Sequence, residues 1–491
     1  MTAKITNNFN SFIAKAVRDN LKDIDNLDAY YAFVSFNNDS DIQRYTDSDG
    51  IDDDAEFTGG INPTFNSDDK SYYMQHSTTA HKLQKGNVTR VIPRINWITG
   101  TRYNVNDYVM VTSVIRGVTN LNVYKVLHYP KASSVAVPSG DQSTPIITSD
   151  KYIWQYMYTI NSSDSLRFIT ENFIPVPERI EDNEIENLNV GTSKYKQFQV
   201  QRDSSVGSLY SVSINDSDWE VWARNNYGSF SNIPTSISVS AQNSTSNVPT
   251  KVFSGSIEKH DSEFNFSLIN NGEGYSEGTI IKINTDTPDG LIANVSPGLG
   301  HGTNAPLELN SKHVMVNIRN VPDEQVVKFA RNDFRMVSLV RNPIDNSTNK
   351  IAKNDFYITC KSFIGSDSDG GNTTFNIGDV VSTSDITGNN YDSTNSKVGR
   401  IVAVDISKKE YFYVNLGKVK DKDSFLVNDE IKIVTSSGNV SGNPLTISKI
   451  NNREILFNSG DILLSDIKST KIRRAKDQIE SFNFILTFWY K

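Results

Sequence analysis

The chain has 491 residues, enough for roughly three domains, and a chain this long builds its cores without disulfides or structural metals. Its 24 Phe and 21 Tyr exclude a disordered chain, and its net charge of −8 argues against nucleic acid or an anionic membrane surface as partner. No run approaches the ~20 apolar residues of a membrane helix, Met1–Asn10 has no apolar signal-peptide core, and the single cysteine, Cys360, reads as a small buried hydrophobe of a protein folded in a reducing cytoplasm.

In chain order, Phe9, Phe12, Ile13, Ala16, Val17, Asn20, Leu21 and Ile24 recur at helical spacing and predict an amphipathic N-terminal helix packed on its own domain. Tyr30–Phe36 is an aromatic and β-branched run that predicts a buried strand. Residues 37–70 are polar and acidic and predict a long surface loop, followed by a short helix around Tyr72–Gln84. Beyond this, strands are expected at Val88–Ile92, Tyr108–Val114, Val123–Leu127, Tyr152–Ile160, Gln197–Gln201, Leu209–Ile214 and Thr279–Ile283, separated by Gly, Pro, Asn, Asp and Ser clusters. Asn106-Asp107, Gly378-Asp379, Asn428-Asp429 and Gly460-Asp461 each precede a strand-like run and predict four tight turns. Residues 376–434 predict a compact β-module with Val380, Val398, Ile401, Val404, Phe412, Val414, Phe425 and Ile431 in its core. Ser481–Tyr490 reads as a closing strand, apolar on both faces and therefore either an inner strand or one covered by a partner. The fold class is mainly β with minor α (α+β), in several β-sandwich or barrel-like modules; without βαβ alternation a doubly wound nucleotide fold is disfavoured.

No catalytic, cofactor-binding or metal-binding residue is assigned. Gly272-Glu273-Gly274-Tyr275-Ser276-Glu277-Gly278 approaches a dinucleotide fingerprint, but a strand follows it, so it reads as a turn. His301, between Gly300 and Gly302, reads as a turn histidine in a flexible loop with neither nucleophile nor orienting acid, and its replacement by Ala is expected to leave function intact. Histidines 76, 81, 128, 260, 301 and 313 lack zinc-ligand spacing. The Asp-rich stretches 47–50 and 367–371 do not continue to the glutamate that closes an EF-hand loop. Lys468, Lys471, Arg473, Arg474 and Lys476 are the only basic run and suit a linker or protein interface.

One set of blocks is more specific. Val91-Ile92-Pro93-Arg94-Ile95-Asn96-Trp97, then Thr101-Arg102-Tyr103, Asn106-Asp107-Tyr108-Val109, Val123-Tyr124-Lys125-Val126-Leu127, Tyr152-Ile153-Trp154-Gln155-Tyr156 and Asn172-Phe173-Ile174-Pro175-Val176-Pro177, with Phe482–Phe488 at the end, occur in this order. Together they resemble the baseplate wedge family of T-even-like contractile phages known as gene product eight. The resemblance covers about the first 180 residues and the last dozen, while the chain from Val190 to about Lys476 matches it only in scattered places.

The resemblance implies a homodimeric structural protein of the virion tail baseplate, assembled in the host cytoplasm with other wedge proteins and without a catalytic site or cofactor. The expected organisation is an N-terminal wedge-type domain (1–180), a β-rich middle domain (181–349), an inserted small β-module (350–468) and a C-terminal strand (469–491) returning to the core. The alternative is a tail-tip carbohydrate or receptor binder, with Trp219 and Trp222 read on a strand as a sugar-stacking platform.

Overall fold

A computed structural model of the chain describes residues 7–22, 28–36, 74, 77–115, 117–243, 248–260, 263–320, 334–367, 373–376, 378–386, 397–416, 424–435, 438–467 and 480–487. The short β-branched and aromatic runs fold as strands, and the chain is mainly β, with several sheets. Two compact units emerge, one drawn from residues 1–18, 89–316 and 484–491, the other from 19–88 and 317–483.

In the first unit, Tyr108–Ile115, Val118–His128, Ile153–Thr159 and Ile146–Ile147 form an antiparallel sheet in that order. Val118–His128 is a central strand, and every residue from Asn122 to His128 is buried. Alternate side chains leave opposite faces. Val123 joins Ile92, Met157, Ala305 and Leu309 on one side, while Tyr124 and Val126 join Trp154, Tyr156 and Val200 on the other. A second sheet, most of whose residues belong to this unit, runs Glu480–Thr487, His313–Asn320, Val88–Pro93, Phe173–Val176. A third, Glu263–Glu273, Lys251–His260, Ser236–Gln242, Ile280–Lys282, shares its core with the helix Asp216–Tyr227 through Phe253, Phe264, Phe266 and Trp219.

The second unit contains a five-stranded sheet in the order Phe356–Ile358, Ser77–Lys82, Tyr30–Phe36, Phe334–Arg341, Asp461–Ile467. It also contains a closed six-stranded barrel made of Lys361–Asp367, Glu410–Asn415, Val398–Asp405, Val380–Ser382, Glu430–Val434 and Val440–Asn451. Closure leaves the barrel without an open edge. Glu410–Asn415 is buried on both faces. Tyr411 and Tyr413 pack with Phe363, Phe375 and Phe425, whereas Phe412 and Val414 pack with Cys360, Ile386 and Leu416. The eight residues expected in one core therefore divide: Ile401, Val404, Phe425 and Ile431 belong to the first cluster, and Val380, Val398, Phe412 and Val414 to the second.

Three of the predicted turns are copies of one device. The carboxylates of Asp107, Asp379 and Asp429 accept the N–H of Asn104, Asn376 and Leu426 respectively, each at 2.7 Å. The residue before each aspartate is left-handed, with φ of 75° at Asn106, 100° at Gly378 and 73° at Asn428, which suits Asn and Gly. A pair of backbone hydrogen bonds then clamps each turn to a neighbouring strand, at Val126, Ile401 and Ile447. Asp429 also holds Lys397 at 2.7 Å. A hydrogen bond to a charged group contributes about 1.5–3 kcal/mol, so Asp429→Ala should destabilise the barrel by that amount. A denaturant titration followed by the near-ultraviolet tyrosine signal checks this; an unchanged midpoint would mean that the backbone clamp alone holds the turn.

Several expectations are corrected. Residues 77–82 form a strand, not part of a helix, because Ser77–Lys82 is paired on both sides, by Tyr30–Phe36 and Phe356–Ile358. Gln197–Gln201 lies in the helix Ser193–Asp203, which starts where the Thr192 hydroxyl accepts the Tyr195 N–H and which buries Gln197 and Val200 three residues apart. The N-terminal helix spans Asn7–Lys22, but it buries Ser11, Ala14 and Leu21, and leaves Phe9 and Phe12 exposed. Of the two placements expected for the terminal strand only the inner one is removed, since Glu480–Thr487 is an edge strand among the described residues, with Phe482 and Phe484 buried and Asn483 and Ile485 exposed. The predicted loop at 37–70 lies outside the described residues.

Candidate functional site

The central strand Val118–His128 places Lys125 opposite Gln155, on the same side as Val123. There its side chain is only 3% exposed. A buried ammonium requires an anion, and the chain supplies one 183 residues later. Asn304 caps the short helix Ala305–Glu308 by accepting the Leu307 N–H, with Pro306 in the first turn. Glu308, at the end of that helix, sends Oε1 to within 2.8 Å of Lys125 Nζ.

The same oxygen lies 2.6 Å from His301 Nδ1, and Glu308 Oε2 accepts the Gly302 N–H at 2.7 Å. The Tyr210 ring lies 5.9 Å from the imidazole. Two left-handed glycines, Gly300 and Gly302, bring the loop to this position. At Gly302, φ is +82° and a Cβ would stand 2.3 Å from the Val200 side chain, so no larger residue fits. The Thr303 hydroxyl donates to the Leu299 carbonyl at 2.7 Å and lies 2.7 Å from the Ser204 hydroxyl, tying the loop to the end of the helix Ser193–Asp203.

Burial by itself pushes the pKa of Glu308 up, but Lys125 and then His301 outweigh it and hold the carboxyl at about 2. Burial lowers the pKa of His301, and the nearby Lys125 adds to the effect against the opposing hydrogen bond to Glu308. The cluster is therefore one ammonium, one carboxylate and one neutral imidazole whose Nδ1–H donates to the carboxylate.

No protein-family model matches this sequence, and no curated protein matches it.

The reading of His301 as lacking an orienting acid is incorrect, because the Glu308 carboxylate accepts its Nδ1–H in a largely buried position. The signals are present in the sequence but faint: Asn304-Ala305-Pro306 is a helix start that places Glu308 at its end, and Lys125 is a lone charge inside an apolar run. Trp219 and Trp222 sit on a helix, three residues apart and stacked at 5.2 Å, with Trp219 fully buried. The strand platform is thus replaced by a helix-to-sheet core contact. Cys360 is buried, which pushes its thiol up to about 12.

The Gly272–Gly278 segment links the strands Glu263–Glu273 and Ile280–Lys282 with left-handed glycines at 272, 274 and 278. His128 contacts the Ser211 hydroxyl and the edge of Phe266, while His81 packs on Phe356; burial lowers the pKa of each histidine to about 4. His313 meets Thr487 on the terminal strand. Among the described residues no group of three or more His, Cys, Asp or Glu is placed to hold a metal ion, and no helix is long and apolar enough to cross a membrane. His76, the Asp-rich residues 47–50 and 368–371, and the basic run from Lys468 to Lys476 lie outside the described residues.

Proposed function

We propose that this chain is a structural subunit of a contractile-phage baseplate wedge, acting through protein–protein assembly as a homodimer with other wedge proteins. The observation that carries the reading is the way the blocks behind the resemblance assemble. Val91–Pro93, Phe173–Val176 and the terminal strand lie in one four-stranded sheet, although most of the chain separates the first from the last. Trp154, Tyr152, Tyr156, Tyr103 and Val126, from the remaining blocks, share one core cluster. The blocks from Val91 to Pro177 thus fall within one compact unit, which supports the reading of them as one scaffold. In this reading the β modules and the N-terminal helix are frames for contact surfaces, and the protein resides in the virion tail.

The glycan-platform alternative depends on Trp219 and Trp222 together, and the burial of Trp219 removes half of it. Co-expression with the products of neighbouring tail genes should yield a stable complex, and the isolated chain should scatter light as a dimer at micromolar concentration. A monomer that binds no tail protein but binds a glycan array would overturn the proposal.

A further inference from the structure

We propose that Lys125, Glu308 and His301 form a proton-operated latch that holds the Pro297–Leu309 segment against the central strand, and that protonation of His301 opens it. The inference stands apart from the wedge reading, because it rests only on this cluster.

One carboxylate faces two basic groups, both meeting the same Oε1. With the imidazole neutral, the charges of Lys125 and Glu308 cancel. With the imidazole protonated, a second cation shares a single counter-ion where Lys125 and Glu308 are each 3% exposed and His301 is 11% exposed. A buried charge without its own partner is strongly unfavourable. The charged and titratable groups facing His301 are Glu308 from the short helix, Lys125 from the central strand and the Tyr210 phenol from the strand Leu209–Ile214. None of them supplies a second anion.

The part that yields is the segment carrying His301 and Glu308. Lys125 is held in a strand paired on both sides, by Tyr108–Ile115 and Ile153–Thr159. The segment is held by turn hydrogen bonds, the Ser204–Thr303 contact, the Ser11 hydroxyl donating to the Pro306 carbonyl, and the burial of Ala305 and Leu309. Opening hydrates the imidazolium and uncovers Ala305 and Leu309, so the latch converts acidification into exposed apolar surface.

Hydrogen exchange of the full chain, corrected for intrinsic rates, tests this at about pH 7.5 and about pH 5. Protection of the amides from Leu299 to Leu309 should fall on the order of tenfold in acid, as preferential binding of one proton by the open state requires. Amides of Ile153–Thr159 should hold their protection, which separates opening of the latch from global unfolding. In His301→Gln, which carries no titrating ring, the acid response should vanish. In Lys125→Met, where an imidazolium would have Glu308 to itself, the response should shrink, so two variants bear on the result. Unchanged wild-type protection, an equal loss in Ile153–Thr159, or a full response in His301→Gln would each overturn the proposal.

Discussion

Deleting Phe482–Lys491 should abolish soluble folding of the chain. The terminal strand is at the edge of its sheet among the described residues, yet it anchors that sheet through Phe482 and Phe484, 9% and 6% exposed. Removing a buried Phe side chain costs about 3–5 kcal/mol, so losing both costs on the order of 6–10 kcal/mol before any ladder hydrogen bond is counted. That matches the whole margin of a domain, about 5–15 kcal/mol. The strand also supplies Thr487 to His313 and Asn483 to Asn317, two buried side chains that would lose these partners. Expression of the truncated chain, scored by its soluble fraction and thermal transition, checks the prediction. A truncated protein that remains soluble and as heat-stable as the full chain would show that the sheet closes without its last strand.

The second large effect is expected at Glu308. Glu308→Ala leaves Lys125 charged and buried without an anion, and breaking a buried pair in this way costs about 3–5 kcal/mol. The double replacement Lys125→Met with Glu308→Leu removes both charges and should recover most of that loss, because well-packed apolar groups replace a buried ion pair at little net cost. Urea unfolding of the three proteins measures the difference, and a Glu308→Ala midpoint equal to wild type would deny the pair any role in stability. The acid side has a definite sign. Glu308 is held at about 2 against an ordinary 4.5, so its contribution is complete above about 4.5 and is lost as pH falls toward 2. The Glu308→Gln variant, lower in stability at neutral pH, should therefore lose less across that window than the wild type.

The sequence and the structure agree most closely where a feature is encoded within a few consecutive residues. The strand Tyr30–Phe36 follows from its own aromatic and β-branched run. The turns at Asn106, Gly378 and Asn428 follow from an aspartate that caps a backbone N–H three residues back and a preceding residue that tolerates a left-handed φ. The misreadings share a different character. Gln197–Gln201 has too little local pattern to distinguish a strand from a helix, and its helix is settled by the Thr192 cap and by Val200 packing among Tyr152, Trp154 and Tyr156. Ser77–Lys82 becomes a strand because two distant strands pair with it. Trp219 is legible as a large apolar residue but its element is not, since a single tryptophan fits a helix stripe and a strand face equally well.

By itself, then, the sequence determined that this is a mainly β protein rich in aromatic residues, with a single cysteine and a repeated aspartate turn. Those properties depend on composition, side-chain period and short-range hydrogen bonds, all of which survive without knowledge of the fold. Only the tertiary structure decided that a barrel closes on itself, that the terminal strand lies at an edge among the described residues, and that His301 has an acid. That acid, Glu308, also meets Lys125 across 183 residues. The physical basis of this cluster is desolvation: a lysine, a glutamate and a histidine act independently as solvated residues, and they become a coupled unit only when folding removes the water between them.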